Sequence, residues 1–309
     1  MKAIQVHQYG GAEVLLMEEV SKPIPLENEV LIQVKAAALN PVDSKIRSGR
    51  LKDIMPKEFP FIPGWEASGV IVETGKKATE FKAGDEVIIR AAPNKGGGYA
   101  EYMTAGENEI APKPKALSFP EAAAMPLVAS AAYISLFKVN KLFAGQKIVI
   151  LGAAGSVGLF AVQMAKQAGA IVIGITTGDG VELVRSSGAD QVVDYKTNRY
   201  VEVIQDADLA LDLVGGSAQD DLWKVLKKGG LLLSTDTPPS PEKAKQYGVN
   251  ASFVFSAPDK AVLNVVADMA AKGVIKPRVG RILPLAEARE AHLLMDGRKV
   301  SGKIILEMK

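Results

Sequence analysis

Residues 147–169 narrow the fold more than any other stretch of this chain: Lys-Ile-Val-Ile-Leu-Gly-Ala-Ala-Gly-Ser-Val-Gly-Leu-Phe-Ala-Val-Gln-Met-Ala-Lys-Gln-Ala-Gly. The unbroken apolar run Ile148 to Leu151 predicts a fully buried strand. A glycine-rich turn follows at once. Val157, Phe160, Ala161, Met164 and Ala165 then recur at helical spacing, and Gly169 predicts the helix C-terminus. Strand, tight turn and helix together form the first half of a βαβ dinucleotide site. The turn reads Ala153-x-Gly155-x-x-Gly158, with alanine in the place of the usual first glycine. Gly155 lets backbone approach a pyrophosphate, and Gly158 lets helix and strand pack closely. Backbone N–H groups from Ser156 and Val157 onward, with the helix dipole, would face the anion. The competing reading is an ordinary tight turn between strand and helix.

The second strand, Ala170 to Thr177, bears on which dinucleotide is bound. An NAD site usually ends this strand in Asp or Glu, which binds the ribose 2′-hydroxyl. Here it ends in Thr176 and Thr177, two hydroxyls with no repelling charge, so the expected cofactor is NADPH. Asp179 lies just beyond and is expected to cap the helix that begins near Val181. Arg185 reads as a solvated charge on that helix.

A chain of 309 residues implies about two domains. A net charge of +2 without long blocks of one sign predicts neither nucleic-acid nor membrane partners. No apolar run reaches transmembrane length. Met1-Lys2-Ala3-Ile4 runs into an alternating strand and lacks a signal-peptide core, so a cytoplasmic location is expected. With no cysteine, disulfides, thiol nucleophiles and cysteine-ligated zinc are excluded. His7 and His292 are the only histidines, too few for a multi-histidine metal centre, and no metal site is expected.

Short strands and turns fill residues 1–120, with Lys2 to Val6, Glu29 to Ala36, Gly69 to Glu73 and Glu86 to Ala91 the clearest strands. This is the pattern of a small barrel-like β domain. Residues 121–271 alternate helix and strand. The predicted strands there are Gln191 to Tyr195, Asp208 to Val214, Gly230 to Ser234 and Ala251 to Phe255. Predicted helices lie near Val201 to Gln205, Ala218 to Leu226 and Pro241 to Tyr247. That rhythm predicts an α/β fold with a doubly wound parallel sheet. Residues 272–309 hold two more strands and a helix, expected to return to the first domain.

The chain resembles the zinc-free quinone oxidoreductase type of medium-chain dehydrogenase/reductase. The resemblance is carried, in order, by Ala38-Leu-Asn-Pro-Val-Asp43, Arg47-Ser-Gly49, Pro60-Phe-Ile-Pro-Gly-Trp-Glu-Ala-Ser-Gly-Val70 and Ala83-Gly-Asp-Glu-Val-Ile88. It continues through Gly97-Gly-Tyr-Ala-Glu-Tyr102, Pro120-Glu-Ala-Ala-Ala-Met-Pro-Leu127, Gly188-Ala-Asp-Gln-Val-Val-Asp-Tyr195, Asp212-Leu-Val-Gly-Gly216 and Gly302-Lys-Ile-Ile-Leu306. It implies a GroES-like β-barrel-type domain plus a Rossmann domain. It also implies hydride transfer from NADPH to quinones or other α,β-unsaturated carbonyls. Zinc-dependent relatives carry a Cys before the Asp of the first marker and a Gly-His-Glu whose His binds zinc. This chain has Leu39-Asn40-Pro41 and Gly64-Trp65-Glu66 instead. The carbonyl must then be polarised by hydrogen bonds, water or a general acid.

By the same resemblance, Asn40 lies near nicotinamide and substrate. Asp43 is a structural carboxylate or a substrate contact. Lys45, where some quinone reductases have Tyr, is a possible proton donor or a solvated loop lysine. The cofactor contacts implied are Ala153, Gly155, Ser156, Val157, Gly158, Thr176, Thr177, Tyr195, Val214, Gly215, Ser234, Phe253, Val254, Phe255 and Lys303. Two customary family side chains are absent, a Thr at Ala131 and a Lys at Gly180. The absent Thr, with Lys45 in the place of Tyr, leaves open a non-catalytic NADP-binding redox sensor, and the same superfamily also includes enoyl-thioester reductases as an alternative. Family members commonly form homodimers through an edge strand, here Ala251 to Ser256.

Overall fold

A computed structural model describes residues 1–309. The chain divides into two compact units, Met1–Leu127 with Ala257–Gly273 and Pro277–Lys309, and Val128–Ser256 with Val274–Lys276.

The first unit opens with strands β1 (Lys2–Gln5) and β2 (Leu16–Glu19), paired antiparallel. The long strand β3 (Glu29–Ala38) follows, then helix α1 (Pro41–Arg47) and strands β4 (Glu66–Thr74), β5 (Glu86–Arg90), β6 (Tyr102–Gly106) and β7 (Ile110–Pro112). Strand β3 shows how register builds a core. Val30, Ile32 and Val34 face the main core of this unit. The β3–β4 register shifts between Val34 and Ala36. Past that irregularity the faces exchange, as a one-residue slip requires. Ala37 and Leu39 now face the main core, while Ala36 and Ala38 pack on Ala123 and Ala124. Helix α2 (Phe119–Ala123) begins at Ser118, whose hydroxyl and backbone N–H both bond the Glu121 carboxylate. Helix α3 (Pro126–Tyr133) follows it, and from Val128 onward it belongs to the second unit. Neither helix nor α1 was among the elements expected from sequence, because each is short and flanked by proline.

The second unit holds β8 (Lys147–Leu151), α4 (Ser156–Gln167), β9 (Ile171–Thr176), α5 (Gly180–Ser186), β10 (Gln191–Asp194) and α6 (Tyr200–Val203). It continues with β11 (Ala207–Asp212), α7 (Leu222–Val225), β12 (Leu226–Ser234), α8 (Pro241–Tyr247) and β13 (Asn250–Phe253). All six strands are parallel, in the order β10-β9-β8-β11-β12-β13. Ile148, Val149 and Ile150 are fully buried, as a strand covered on both faces demands. The chain starts at the centre, runs outward to β10, and crosses back to β11. The order therefore reverses between β8 and β11, where doubly wound sheets bind ligands.

Helix α9 (Lys260–Ala271) returns to the first unit. The sequence reading had placed residues up to 271 in the second domain. The difference has a packing cause: Leu263 and Ala267 of α9 close a cluster with Ile88, Ala111 and Ala122. Then come β14 (Val279–Pro284), α10 (Ala288–Asp296) and β15 (Lys303–Glu307). Strand β15 pairs antiparallel with β3, Ile305 opposite Ala38. The tail thus enters the sheet of the first unit, whose order is β14-β15-β3-β4-β5-β7 with β6 also on β3. No helix is long and apolar enough to cross a membrane.

Candidate active site

In the second unit, the turn after β8 has the geometry of an anion cradle. Gly152 adopts φ +82° and turns the chain. Ala153 is fully buried, and its N–H bonds the Ile175 carbonyl at 3.1 Å, tying the turn to β9. The first intrahelical bond of α4 runs from Leu159 N–H to the Gly155 carbonyl. The N–H groups of Ser156, Val157 and Gly158 precede it and lack a helical acceptor. A side chain at Gly155 would meet only the Gly152 carbonyl oxygen, at 3.1 Å, and otherwise open space. A side chain at Gly158 would lie 2.4 Å from the Gly152 oxygen and 2.6 Å from the Ala153 oxygen. The two glycines therefore divide the work: Gly158 permits the turn, and Gly155 keeps its outer face clear. The residues present fit a dinucleotide pyrophosphate at this helix N-terminus.

The neighbouring strand ends bring a group that sequence reasoning missed. Thr176 is buried, with Asp194 of β10 opposite it in the ladder. Tyr195, half exposed, donates its N–H to the Thr176 carbonyl at 3.1 Å. Backbone N–H of Lys196 donates to the Asp194 carboxylate at 2.9 Å, and with the neighbouring Thr177 hydroxyl and Gly178 N–H it holds the pKa below the usual range. The Thr177 hydroxyl thus lies beside an anion, and this corner does carry a negative charge, contrary to the sequence expectation. Asp179 precedes α5 but its side chain makes no capping bond. Arg185 is bonded to Glu182 one turn earlier, at 2.6 Å. A side chain at Gly180 would press on Thr176 Oγ1 at 2.5 Å and Ala154 Cβ at 2.8 Å, which accounts for glycine there.

At the ends of β11 and β12, Asp212 is buried and accepts from Val214 N–H, Gly215 N–H, the Gln219 amide and the Ser234 hydroxyl. Ser234 also receives the N–H groups of Asp236 and Thr237. Expected as a cofactor contact, Ser234 instead lies wholly inside and fixes the Asp212 carboxylate. Val214 is exposed at the strand end, and Gly215 follows with φ +74°. Val254 is buried and bonds the Ser234 carbonyl through its N–H at 2.8 Å, while Phe253 and Phe255 are exposed.

The first unit contains a buried polar network around Asn40, the N-cap of α1. Asn40 Nδ2 donates to Glu66 Oε1 at 2.8 Å, and Asn40 Oδ1 accepts from Lys303 Nζ at 2.7 Å. Both ends of the amide are thus held. Lys303 also donates to the Leu39 carbonyl at 2.6 Å and to Glu66 Oε1. Three acceptors match the three N–H groups of an ammonium. Lys303, expected to contact the cofactor, is 3% exposed and has no donor left for one. Its function here is to orient Asn40. The second Glu66 oxygen accepts from Leu127 N–H at 2.8 Å.

Asp43 is fully buried, and its Oδ2 accepts from Asn40 N–H at 2.8 Å and the Tyr99 hydroxyl at 2.7 Å. Burial raises its pKa to about 7, against the opposing pull of Tyr99, Asn40 N–H and Lys303. Tyr99 packs edge-on against His292, which accepts a bond from Arg47 on Nδ1 at 2.8 Å. Burial and the Arg47 charge lower the His292 pKa to about 3. Arg47 also reaches Asp296 at 3.0 Å. Lys45 sits half-buried on α1, a helix where the sequence reading had a loop. Glu66, Tyr99, Arg47 and His292 were not singled out from sequence. Their contacts span 26 residues for Asn40 with Glu66, 56 for Asp43 with Tyr99, 237 for Glu66 with Lys303 and 245 for Arg47 with His292, which no local pattern announces.

A zinc centre does not fit this donor set. Trp65 is buried, its ring N–H on the Pro93 carbonyl at 3.1 Å. His7 pairs with Glu18 and His292 with Arg47. No group of three or more His, Cys, Asp or Glu side chains comes together to hold a metal.

Comparison with known proteins agrees with this architecture. Residues 26–115 match a family model described as alcohol dehydrogenase GroES-like domain, and residues 187–306 match one described as zinc-binding dehydrogenase. The chain is 32% identical to human mitochondrial NAD(P)H oxidoreductase RTN4IP1 over 353 residues, covering 100% of this chain and 89% of that protein. It is 33% identical to mouse quinone oxidoreductase over 328 residues, covering 99% and 97%. Among solved structures, Escherichia coli quinone oxidoreductase in complex with NADPH superposes with TM-score 0.91 at 28% identity, over 99% of this chain and 100% of that one.

Proposed function

The chain belongs to the quinone oxidoreductase-like branch of the medium-chain dehydrogenase/reductase superfamily, and from that premise we propose that it reduces quinones or other α,β-unsaturated carbonyls with NADPH and without zinc. The observation that carries the reading is the turn between β8 and α4. Its outer face is kept open at Gly155, and unpaired N–H groups lead the helix. When bound, the reduced nicotinamide supplies the hydride. Gly155, Ser156 and Val157 hold the pyrophosphate, and Val214, Gly215 and the segment Phe253 to Phe255 offer backbone and apolar surface to the rest of the dinucleotide. Asn40 presents an amide whose rotation Glu66 and Lys303 prevent. Lys45 on α1 is the proposed source of the proton that completes carbonyl reduction. Trp65 in the place of a ligating His supports chemistry that relies on hydrogen bonds. The exposed edge strand β13 supports a homodimer.

The deciding experiment follows oxidation of NADPH by the purified protein with a panel of quinones, enones and enoyl-thioesters. Turnover with quinones or enones is the expected result. Nucleotide binding without turnover on any acceptor would mark a non-catalytic redox sensor. Turnover confined to enoyl-thioesters would mark a thioester reductase.

A further inference from the structure

We propose that Asp194 is a specificity-determining residue for the adenosine ribose, narrowing the preference for NADPH so that NADH also serves as hydride donor. The inference rests on the oxidoreductase reading above and deepens it. In a βαβ dinucleotide site, the second strand normally supplies the acid that reads the ribose 2′-hydroxyl. Here that strand is β9, and its last residue is Thr176. Asp194 lies opposite Thr176 on the adjacent strand. Its carboxylate receives Lys196 N–H at 2.9 Å, and Thr177 and Gly178 of the segment leaving β9 lie close enough to it to help lower its pKa. A carboxylate therefore stands at the strand end, delivered by the third strand instead of the second.

The charges around it fix the direction of the effect. A 2′-phosphate brought to this corner meets a like charge, whereas a 2′-hydroxyl meets an acceptor. Of the basic groups nearby, Arg185 is bonded to Glu182, and Gly180 cannot carry a side chain without displacing Thr176 and Ala154. Lys196 is exposed and adds the one opposing positive charge next to Asp194. Asp179 adds a further exposed carboxylate. Of the two hydroxyls expected to take the 2′-phosphate, the Thr177 one lies beside the Asp194 carboxylate.

The test compares wild type with Asp194→Asn. Asparagine keeps an oxygen to accept from Lys196 N–H while removing the charge, with little change of shape at the strand end. Calorimetric binding of adenosine 2′,5′-diphosphate and 5′-AMP reports the 2′-phosphate contribution without turnover. Steady-state kinetics with NADPH and NADH report it in the reaction. Both ratios, 2′,5′-diphosphate over AMP and NADPH over NADH, are expected to rise about tenfold in the variant, equivalent to about 1.4 kcal/mol. A rise of less than about threefold in either ratio overturns the role of Asp194. If wild type binds neither adenosine fragment nor dinucleotide, the oxidoreductase reading falls, and this inference with it.

Discussion

Two buried ionisable residues in the first unit have opposite effects on stability over the same pH range. Asp43 has a folded pKa near 7, against 3.8 for the model carboxyl, so the fold binds its proton more tightly than the unfolded chain does. That contribution is fully present below about pH 4 and is lost as pH rises to 7. His292 has a folded pKa near 3, against 6.5. The fold keeps it neutral, so its contribution is present above 6.5 and is lost as pH falls toward 3. In wild type the two slopes oppose each other between pH 4 and 6.5. Asp43→Asn keeps an acceptor for Tyr99 and Asn40 but removes one slope. Relative to wild type, the variant should gain stability steadily from pH 4.5 to 7, by about 1.4 kcal/mol per pH unit. Urea unfolding at several pH values measures this. A constant difference between variant and wild type would mean that Asp43 is ionised throughout. The pair Glu66 and Lys303 illustrates a different rule. Removing one partner alone leaves a buried charge unmatched and should destabilise by about 3–5 kcal/mol. None of this was legible locally: Asp43 and Asn40 stood out in their motif, but their partners lie on β4, β15 and the segment before β6.

At the scale of elements, strongly periodic segments were legible and short ones were not. The 3.6-residue pattern of α4 marks a helix, and the shortness of the β8 apolar run, cut off by a glycine turn, marks a strand. α8 lies where a helix was expected near Pro241 to Tyr247; Ser240 and Pro241 open it and Gly248 closes it in a left-handed conformation. α1 was missed because its helical signal is an N-cap and a proline followed by less than two turns. The cradle turn offers a sharp test of how the glycines act. Gly155→Val should fold, because a Cβ there meets only one carbonyl oxygen at 3.1 Å, yet weaken nucleotide binding at least about tenfold. Gly158→Val should lose stability first, since its Cβ would press on two backbone oxygens at 2.4 and 2.6 Å. Thermal unfolding and calorimetric nucleotide titration separate the two effects. Equal loss of stability in both variants would remove the distinction between an open face and a packed one.

At the scale of the whole molecule, the parallel sheet of the second unit follows from its alternating helix and strand pattern, while the return of α9 to the first unit does not. The helix carries an amphipathic face, and nothing in the face itself says which sheet it will cover; Ile88, Ala111 and Ala122 decide that. The whole-chain inventory of ligands supports one more prediction. Tetrahedral zinc sites draw on Cys, His and carboxylate ligands, and zinc needs several of them together. This chain has no cysteine and two histidines. His7 lies against Glu18 on the β1–β2 side of the first unit, and His292 is buried with its Nδ1 taken by Arg47. Glu66, which follows the position where zinc-dependent relatives have their ligating His, already accepts from Asn40, Lys303 and Leu127. The Lys303 ammonium supplies the positive charge that balances this carboxylate. Prolonged dialysis against EDTA should therefore leave turnover and melting temperature unchanged, and elemental analysis of the untreated protein should find zinc well below one per chain. Zinc near one per chain, removed together with activity by the chelator and restored with it, would show that the Asn40, Glu66 and Lys303 network rearranges to admit a metal, and the zinc-free mechanism would have to be abandoned.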